Sequence, residues 1–349
     1  MNINADWDPH EFKILKSKGS YQWWYFDGID FSSTYSFVII FSTSFPFSPA
    51  YLKNLINDAQ NINPLDFARV SFKLFKHGKL MHQSVQEFIS GTINIVKRND
   101  HIASLNIGRN SINFNGNKVS LKIRSFEKWA KRSIDADIDM TINSPQEFFS
   151  NECNINSPNS HYWSPAGINT DYVAKIKIRR AENQFSPRKK IIFEGNGYYD
   201  RNWGTEAVFD NILNWKRGRF IEKDLTLVFF DTTYRKDYAK QFKRIIITKG
   251  KDVLLNESDI EFEYQNSKNL WGLAYPSKII IKGKKIIVKV SNNIKLYNSP
   301  FRIKFQSEFE VEFNDSNLNG MGISELINPK LLKRKWMYPL LNFNVIKHS

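Results

Sequence analysis

The residues of this 349-residue chain that could do acid–base chemistry concentrate in one short, glycine-framed segment. Asp200, Arg201 and Asn202 lie there between Tyr199 and Trp203. Buried polar groups need partners, so packing alone does not favour a carboxylate, a guanidinium and an amide among large aromatic residues. The segment therefore predicts a functional site. Asp200 is its acid–base candidate, and Arg201 is a permanent cation that could orient a carboxylate or bind a developing oxyanion.

A second carboxylate, Asp231, follows the apolar segment 225–230. Strand alternation predicts that it shares a face with Leu227 and Phe229. A carboxyl group desolvated among aromatic side chains tends to keep its proton, and protonation of an alkene needs such an acid. Asp231 is therefore the second acid–base candidate. The alternative is that Asp231 ends the strand and caps a turn at Thr232.

Aromatic residues could supply the walls of a hydrophobic pocket, since the chain has 28 Phe, 14 Tyr and 9 Trp. Two further aromatic clusters lie at 21–28 and 161–167. Aromatic faces stabilise a nearby cation through their quadrupole, which would suit a carbocation intermediate. The alternative is that these residues only fill cores. The predicted substrate-binding residues are Trp203, Trp24, Trp163, Tyr199, Phe229 and His161.

Several kinds of chemistry have no support in the sequence. It lacks a phosphate-binding loop, a dinucleotide fingerprint, a nucleophile elbow and the kinase motifs. The six histidines lack metal-ligand spacing, and Cys153 is the single cysteine. We therefore expect no metal and no organic cofactor. No run of 18 apolar residues predicts a transmembrane helix, and the first residues lack a secretory pattern, so a cytoplasmic location is expected.

The chain is strongly basic, with a net charge of +15 from 50 basic and 35 acidic residues. Such a charge favours nucleic acid, an anionic membrane or an acidic ligand as partner. The alternative is a compositional bias toward Lys, Asn, Ile and Phe. The basic segment 330–336, which ends in Trp336, is the best local candidate for contact with anionic lipid.

Period-two hydrophobic patterns dominate the chain and predict a mostly β protein. Hairpins are expected around Gly116, Gly250 and Gly283, and further strands at regular spacing suggest sandwiches or barrels. The few helices are expected at 49–55, at 144–149 and, interrupted by Pro329, at 324–338. Glycine and proline cluster between about 185 and 215, which predicts domains at 1–205 and 206–349.

Five blocks of this sequence resemble the carotenoid 1,2-hydratase (hydroxyneurosporene synthase) family, a lipocalin-like superfamily that includes decalin-forming Diels–Alderases. They are residues 23–27, 42–51, 161–166, 197–204 and 320–325. The resemblance implies two lipocalin-like β-barrel or β-sandwich domains with few short helices and a hydrophobic pocket at or near their junction. It also implies cofactor-free acid–base chemistry on a lipophilic, unsaturated substrate.

The site residues match the family's motifs only in part. Trp203 matches the family's tryptophan, and Asp231 matches the aspartate of its Tyr-x-Asp motif. Arg201 stands where the family has a histidine, and Phe229 stands where it has the tyrosine. These departures remove a proton shuttle and a phenol, so a cyclase or isomerase is expected rather than a carotenoid hydratase.

We therefore predict a cofactor-independent cyclase, isomerase or hydratase that acts on a terpenoid, polyene or polyketide. One alternative is a carrier that binds a lipophilic molecule without turnover, because barrels commonly hold one small ligand. Another is a basic protein that binds nucleic acid or a membrane surface. The expected partners are the lipophilic substrate and an anionic membrane, and no nucleic acid is expected.

Overall fold

The computed structural model describes residues 12–99, 102–144, 161–180, 189–234, 241–342 and 345–348. The prediction of a mostly β protein is confirmed, since strands dominate these residues and the helices are short. Nearly all of the helix predicted at 144–149, and Cys153, lie outside the described residues.

The strands follow one another along the chain with mostly short connections. They are β1 (Tyr21–Asp30), β2 (Tyr35–Ser44), β3 (Ala68–Lys76), β4 (Lys79–Phe88), β5 (Ile93–Asn99), β6 (Ile102–Ile107), β7 (Asn110–Asn115), β8 (Lys118–Glu127), β9 (Arg132–Ile142), β10 (His161–Arg180), β11 (Lys189–Gly204), β12 (Ile212–Glu222), β13 (Leu225–Tyr234), β14 (Gln241–Lys249), β15 (Asp252–Glu257), β16 (Glu261–Leu270), β17 (Leu273–Lys282), β18 (Ile286–Ser299), β19 (Arg302–Phe313), β20 (Ser316–Ile327) and β21 (Val345–His348). The helices are α1 (Pro49–Ile56), α2 (Val208–Asn211) and α3 (Tyr338–Asn342), with 3₁₀ turns at Pro64–Phe67, Ser90–Thr92, Pro329–Lys333 and Lys335–Met337.

The chain divides into two compact units. The first comprises Met1–Ala207 and Tyr338–Ser349, and the second comprises Val208–Met337. The last residues therefore belong to the first unit, whereas the sequence had placed them in the C-terminal domain. The physical reason is backbone pairing, because β21 pairs in parallel with β4 and satisfies the exposed hydrogen-bonding groups of that edge strand.

The first unit contains a twelve-stranded sheet in the order β21-β4-β3-β2-β1-β11-β10-β9-β8-β7-β6-β5. The sheet curls, because side chains of β4 reach β8, which is not its neighbour. His82 Nδ1 lies 2.9 Å from Glu127 Oε2, and Gln86 Nε2 donates to the Arg124 carbonyl at 3.1 Å. The inner face forms a core that includes Trp24, Phe26, Phe37, Phe72, Leu121, Ile138 and Tyr199.

The second unit contains a nine-stranded sheet in the order β15-β14-β13-β12-β20-β19-β18-β17-β16. It also curls. The rings of Phe229 on β13 and Phe262 on β16 lie 5.8 Å apart, although these strands are not neighbours. Its core includes Phe220, Leu227, Phe229, Ile247, Ile279, Val288 and Phe309.

The predicted hairpins are confirmed at β7–β8, β14–β15 and β17–β18, and the predicted helix at 49–55 is confirmed as α1. Ser48 caps α1 by accepting a hydrogen bond from the Tyr51 amide. The predicted helix at 324–338 is wrong over its first turn. Residues 324–327 end β20, where their backbone pairs with both β12 and β19, and only short turns follow Pro329.

Candidate functional site

One face of three adjacent strands in the first unit carries polar and aromatic side chains that are all buried. β11 lies between β1 and β10, so registered residues of the three strands point to the same side. This side is opposite to the one that bears the core residues Trp24 and Tyr199. We call it the polar–aromatic face, and it comprises Tyr21, Trp23, Tyr25, Asp27, His161, Trp163, Tyr198, Asp200 and Asn202, none more than 5% exposed.

Asp200 is a carboxylate of this face that accepts hydrogen bonds from three side chains. Its Oδ2 accepts hydrogen bonds from the Tyr198 hydroxyl at 2.8 Å and from Trp163 Nε1 at 3.2 Å. Its Oδ1 accepts one from Asn202 Nδ2 at 2.8 Å. These residues form what we call the Asp200 cluster. Tyr198 lies two residues before Asp200 on β11, and Asn202 lies two residues after it. Strand alternation therefore places both side chains beside Asp200.

A second carboxylate, Asp27, lies on the same face. Its Oδ2 accepts a hydrogen bond from the Tyr25 hydroxyl at 2.7 Å. Asp27 is registered with Tyr198, and Tyr25 is registered with Asp200. The rings of Tyr25 and Tyr198 meet edge to face at 6.2 Å. The face therefore holds two buried carboxyl groups with a phenol hydrogen-bonded to each.

His161 and Tyr21 meet at the end of this face. Both are registered with Gly204, whose missing side chain leaves room between them. The Tyr21 hydroxyl lies 2.6 Å from His161 Nδ1. Burial lowers the pKa of His161 to about 3. The imidazole is therefore neutral at neutral pH and serves as a hydrogen-bonding group rather than as a cation.

Arg201 lies on the opposite side of β11 from Asp200. It is registered with Trp24 and points to the core side, where its guanidinium lies 4.4 Å from the centre of the Trp203 ring. Consecutive strand residues point to opposite faces, so Asp200 and Arg201, which are adjacent in the sequence, lie on opposite sides of β11. Of the predicted substrate-binding residues, Trp163 and His161 share the face of Asp200, whereas Trp24, Tyr199 and Trp203 share the side of Arg201.

Asp231 lies in the second unit and is fully buried. It follows Leu227 and Phe229 on the inner face of β13. Lys216 Nζ lies 3.1 Å from its Oδ2, and Gln241 Nε2 donates to its Oδ1 at 2.8 Å. The Tyr264 hydroxyl also donates to Oδ2. We call these four residues the Asp231 cluster.

This environment differs from the predicted one, because the sequence suggested an acid isolated among aromatic side chains. The structure instead makes Asp231 the acceptor in a buried ion pair. Burial lowers the pKa of Lys216, and Asp231 opposes that shift. Burial, and then the charge of Asp231, raises the pKa of Tyr264, so this phenol keeps its proton. The alternative, that Asp231 ends the strand and caps a turn at Thr232, is wrong, since β13 continues to Tyr234.

Lys216, Gln241 and Tyr264 of the Asp231 cluster were not predicted from the sequence, and neither were Tyr198, Tyr25 and Asp27 of the polar–aromatic face. Lys216 is registered with Asp231, but the pairing of β12 with β13 is needed to see it. Tyr264 reaches Asp231 only because the sheet curls. Tyr25 belongs to the aromatic cluster at 21–28. The Tyr-x-Asp spacing of Tyr25 and Asp27 could have indicated a strand face with a phenol beside a carboxylate.

Glu325 forms another buried charge cluster in the second unit. Its carboxylate pairs with Arg217 Nε at 2.8 Å and with Arg302 Nε. Burial opposes ionisation, but the charges of Arg302, Arg217 and Lys304 prevail and lower the pKa of Glu325 to about 2. Glu325 ends the block 320–325, to which the sequence analysis assigned no role.

Among the residues that the structure describes, no group of three or more His, Cys, Asp or Glu side chains could hold a metal ion. Within the same ranges, none of the helices is both long and apolar enough to span a bilayer.

Comparison with known proteins agrees with the sequence motifs. A hydroxyneurosporene dehydrogenase of Chlorobaculum tepidum is 25% identical over 358 residues, which covers 97% of this chain and 90% of that protein. An acyclic carotenoid 1,2-hydratase of Rhodobacter capsulatus is 40% identical over 63 residues, which covers 18% of this chain and 21% of that protein.

The fold has counterparts among solved structures. The crystal structure of CghA with Sch210972 matches with a TM-score of 0.61 and 10% identity, and the match covers 92% of this chain and 94% of that one. The predicted lipocalin-like architecture of two β units is thereby confirmed. The family model for the carotenoid hydratase CrtC matches residues 91–349. This match covers well over half of the sequence, and the chain belongs to the carotenoid hydratase CrtC family.

Proposed function

We propose that this protein is an enzyme that protonates a lipophilic, unsaturated substrate of the carotenoid or a related isoprenoid class. The observation that carries the proposal is the fully buried Asp200, whose carboxyl group is oriented by three side-chain donors on a face opposite to the core. Family membership supports an enzyme of hydratase type. The relative from Rhodobacter capsulatus supports an acyclic carotenoid as the first substrate to test.

Asp200 is proposed as the general acid and base. In its protonated form it gives a proton to one carbon of a double bond, and the carboxylate that results is stabilised by Tyr198, Trp163 and Asn202. The adjacent carbon becomes a carbocation, which aromatic faces such as those of Trp23 and Trp163 stabilise. The buried surroundings exclude bulk water and so protect this intermediate.

The second step decides the reaction type. In a hydration, one water molecule attacks the cation and its extra proton returns to the Asp200 carboxylate. In a cyclisation, a second double bond of the same substrate attacks, and loss of a proton from carbon to Asp200 completes the cycle. Both routes regenerate the acid and need no oxidant or reductant.

Asp231 is proposed as the second acid–base candidate, through Tyr264. The phenol keeps its proton because its pKa is raised, and it donates to Asp231 Oδ2. Lys216 holds the carboxylate on its other side. In this proposal the proton is delivered by way of Tyr264, so loss of activity in Tyr264→Phe would identify it. Retained activity would leave the ion pair with a structural role.

A mass balance tests the proposed function. Purified protein is incubated with an acyclic carotenoid in detergent, and the products are analysed by mass spectrometry. A product heavier by one water indicates hydration, an isomer of unchanged mass indicates cyclisation or isomerisation, and a product lacking two hydrogens indicates the dehydrogenation for which the Chlorobaculum relative is named. Recovery of tightly bound, unchanged carotenoid would favour the alternative, a lipid carrier. Dialysis against a chelator should leave turnover intact.

A further inference from the structure

Two neighbouring segments of the second unit expose tryptophans among basic side chains. The first is the turn between β16 and β17, and the second comprises the 3₁₀ turns that follow Pro329. Trp271 is 57% exposed and Trp336 is 50% exposed, although tryptophan is usually well buried. We call this surface the tryptophan–lysine patch, and it comprises Lys268, Trp271, Lys330, Arg334, Lys335 and Trp336.

The turn between the strands places Trp271 at its tip. Leu270 pairs with Leu273, which leaves a two-residue loop of Trp271 and Gly272. Both loop residues have positive φ, 57° for Trp271 and 80° for Gly272. This conformation suits glycine or asparagine and is unusual for a bulky residue. The tryptophan is therefore exposed at a position where its side chain neither favours the turn conformation nor packs in the core.

The second segment lies directly against this tip. A Cβ built on Gly272 would come within 3.0 Å of Arg334 Nη1. Arg334 in turn lies two residues before Trp336, and Lys268 lies three residues before Trp271. The two tryptophans and the basic residues therefore belong to one surface rather than to two separate loops.

The patch carries an excess of positive charge. Lys333 in the second segment is paired with Asp210 at 2.7 Å. Within the described part of the chain, Lys268, Lys330, Arg334 and Lys335 make no ion pair. All four are exposed. Their charge is available to an anionic partner.

We infer that the tryptophan–lysine patch is a docking site for the surface of an anionic lipid bilayer. Tryptophan prefers the headgroup level of a membrane, where its ring is half buried and its N–H is solvated. Basic residues beside it are attracted to anionic headgroups. Binding of single-stranded nucleic acid would instead need a charged groove along which bases stack, and these tryptophans occupy a protruding turn and a short helical segment. The inference does not depend on the proposed catalytic activity.

Vesicle co-sedimentation tests the inference. The full chain should bind vesicles of phosphatidylcholine containing one-third phosphatidylglycerol, and it should bind pure phosphatidylcholine weakly. Lys330→Glu with Lys335→Glu should weaken binding by at least about thirtyfold, since each basic residue lost near an anionic surface costs about fivefold and the new carboxylates are repelled by the headgroups. Trp271→Asn with Trp336→Gln should also weaken binding, and asparagine suits the positive φ of the turn.

Matched variants control for general charge and general exposure. Lys251→Glu with Lys285→Glu makes the same change in charge, and Lys285 lies in the turn at the other end of β17, about 30 Å away by strand length. Trp129→Gln removes a tryptophan that is 61% exposed in the first unit. Both controls should bind like the unchanged protein, and circular dichroism should confirm that every variant is folded.

Three results would overturn the inference. They are no preference for anionic vesicles, an equal loss of binding in the control variants, and displacement from vesicles by a single-stranded oligonucleotide whose own binding requires the patch. The last result would assign the patch to nucleic acid.

Discussion

The Asp200 cluster and the Asp231 cluster each surround a fully buried carboxylate with three side-chain donors, but the donors come from different places. Asp231 is held by Lys216 on β12, by Gln241 on β14 and by Tyr264 on β16. One of these donors, Tyr264, lies on a strand that is not a neighbour of β13, and another, Lys216, is a cation. Asp200 is held by neutral donors from its own strand and the adjacent one.

We propose that this difference separates a stabilising role for Asp231 from a chemical role for Asp200. The Asp231 carboxylate links β13 to β16 through Tyr264 and so helps to close the sheet. It lies next to Phe229, at the end of the core of the second unit. The three donors of the Asp200 cluster join only β10 and β11, which already pair through their backbones, and they lie on the side opposite to the core. Fold closure accounts for the Asp231 cluster, whereas these three donors add no link between strands that are not already paired, and on this ground we propose Asp200 as the catalytic group.

The largest expected effect is on turnover in Asp200→Asn. The change keeps the shape of the side chain but removes the transferable proton, and general acid–base catalysis is typically worth about 10²–10⁴-fold. We expect kcat to fall by about that factor while KM changes little, as steady-state kinetics would show. Trp163→Phe, which removes one donor and keeps an aromatic ring, should give a smaller loss. A kcat for Asp200→Asn within a few-fold of the unchanged enzyme would exclude Asp200 from proton transfer.

The next effect is on stability in Asp231→Asn. Removing the carboxylate leaves the Lys216 ammonium without its partner, and breaking a buried pair costs about 3–5 kcal/mol. Urea unfolding should show this loss, and adding Lys216→Met should recover part of it. The exposed pair of Lys249 and Asp224 provides the control, because Asp224→Asn should change the unfolding free energy by less than about 1 kcal/mol. Equal losses in the two aspartate variants would contradict the stabilising role.

Glu325 should make the second unit sensitive to acid. Its pKa in the folded protein is about 2, below the ordinary value of 4.5, so the unfolded chain takes up the proton first as pH falls. The stabilisation is present above pH 4.5 and is lost as pH falls toward 2, and it amounts to about 3 kcal/mol. The unfolding free energy of Glu325→Gln should depend less on pH over this range. An unchanged pH dependence would show that the ion pairs of Glu325 do not contribute.

The smallest effect is expected in Tyr21→Phe, which removes the hydrogen bond to His161 and should cost about 1–3 kcal/mol. Tyr51→Phe is matched to it, since the Tyr51 hydroxyl donates to a backbone carbonyl, that of Ser20, at 2.9 Å and not to His161. Both variants should lose similar stability in urea unfolding. Only Tyr21→Phe should also change turnover, and a rate change in both would point to a general loss of rigidity.

Local patterns predicted much of the fold. Alternation and glycine turns predicted the hairpins, and they placed Asp231 on the face of Leu227 and Phe229, because both signals depend on neighbouring residues only. The prediction of a helix at 324–338 was wrong over its first turn, because residues 324–327 pair with β19 and with the distant strand β12. Residues 338–349 were placed in the wrong unit for the same reason.

The candidate sites were harder to predict than the strands. Asp200 and Arg201 are adjacent in sequence, so the sequence predicted one site that contains both. The pleat of β11 places their side chains on opposite faces of the sheet. The partners of Asp231 come from β12, β14 and β16, and curling of the sheet is what brings Tyr264 to it. Contacts of this kind depend on strand pairing over tens of residues, which composition and spacing do not encode.

Hydrogen transfer from solvent to carbon tests the central claim most directly. The enzyme, Asp200→Asn and Asp231→Asn are each incubated in heavy water with an acyclic carotenoid, at a temperature where unfolding measurements show all three to be folded. We expect carbon-bound deuterium in the product of the unchanged enzyme and of Asp231→Asn, and almost none with Asp200→Asn. Incorporation at an unchanged rate by Asp200→Asn, together with its loss in folded Asp231→Asn, would contradict the account and move the proton-transfer step to the second unit.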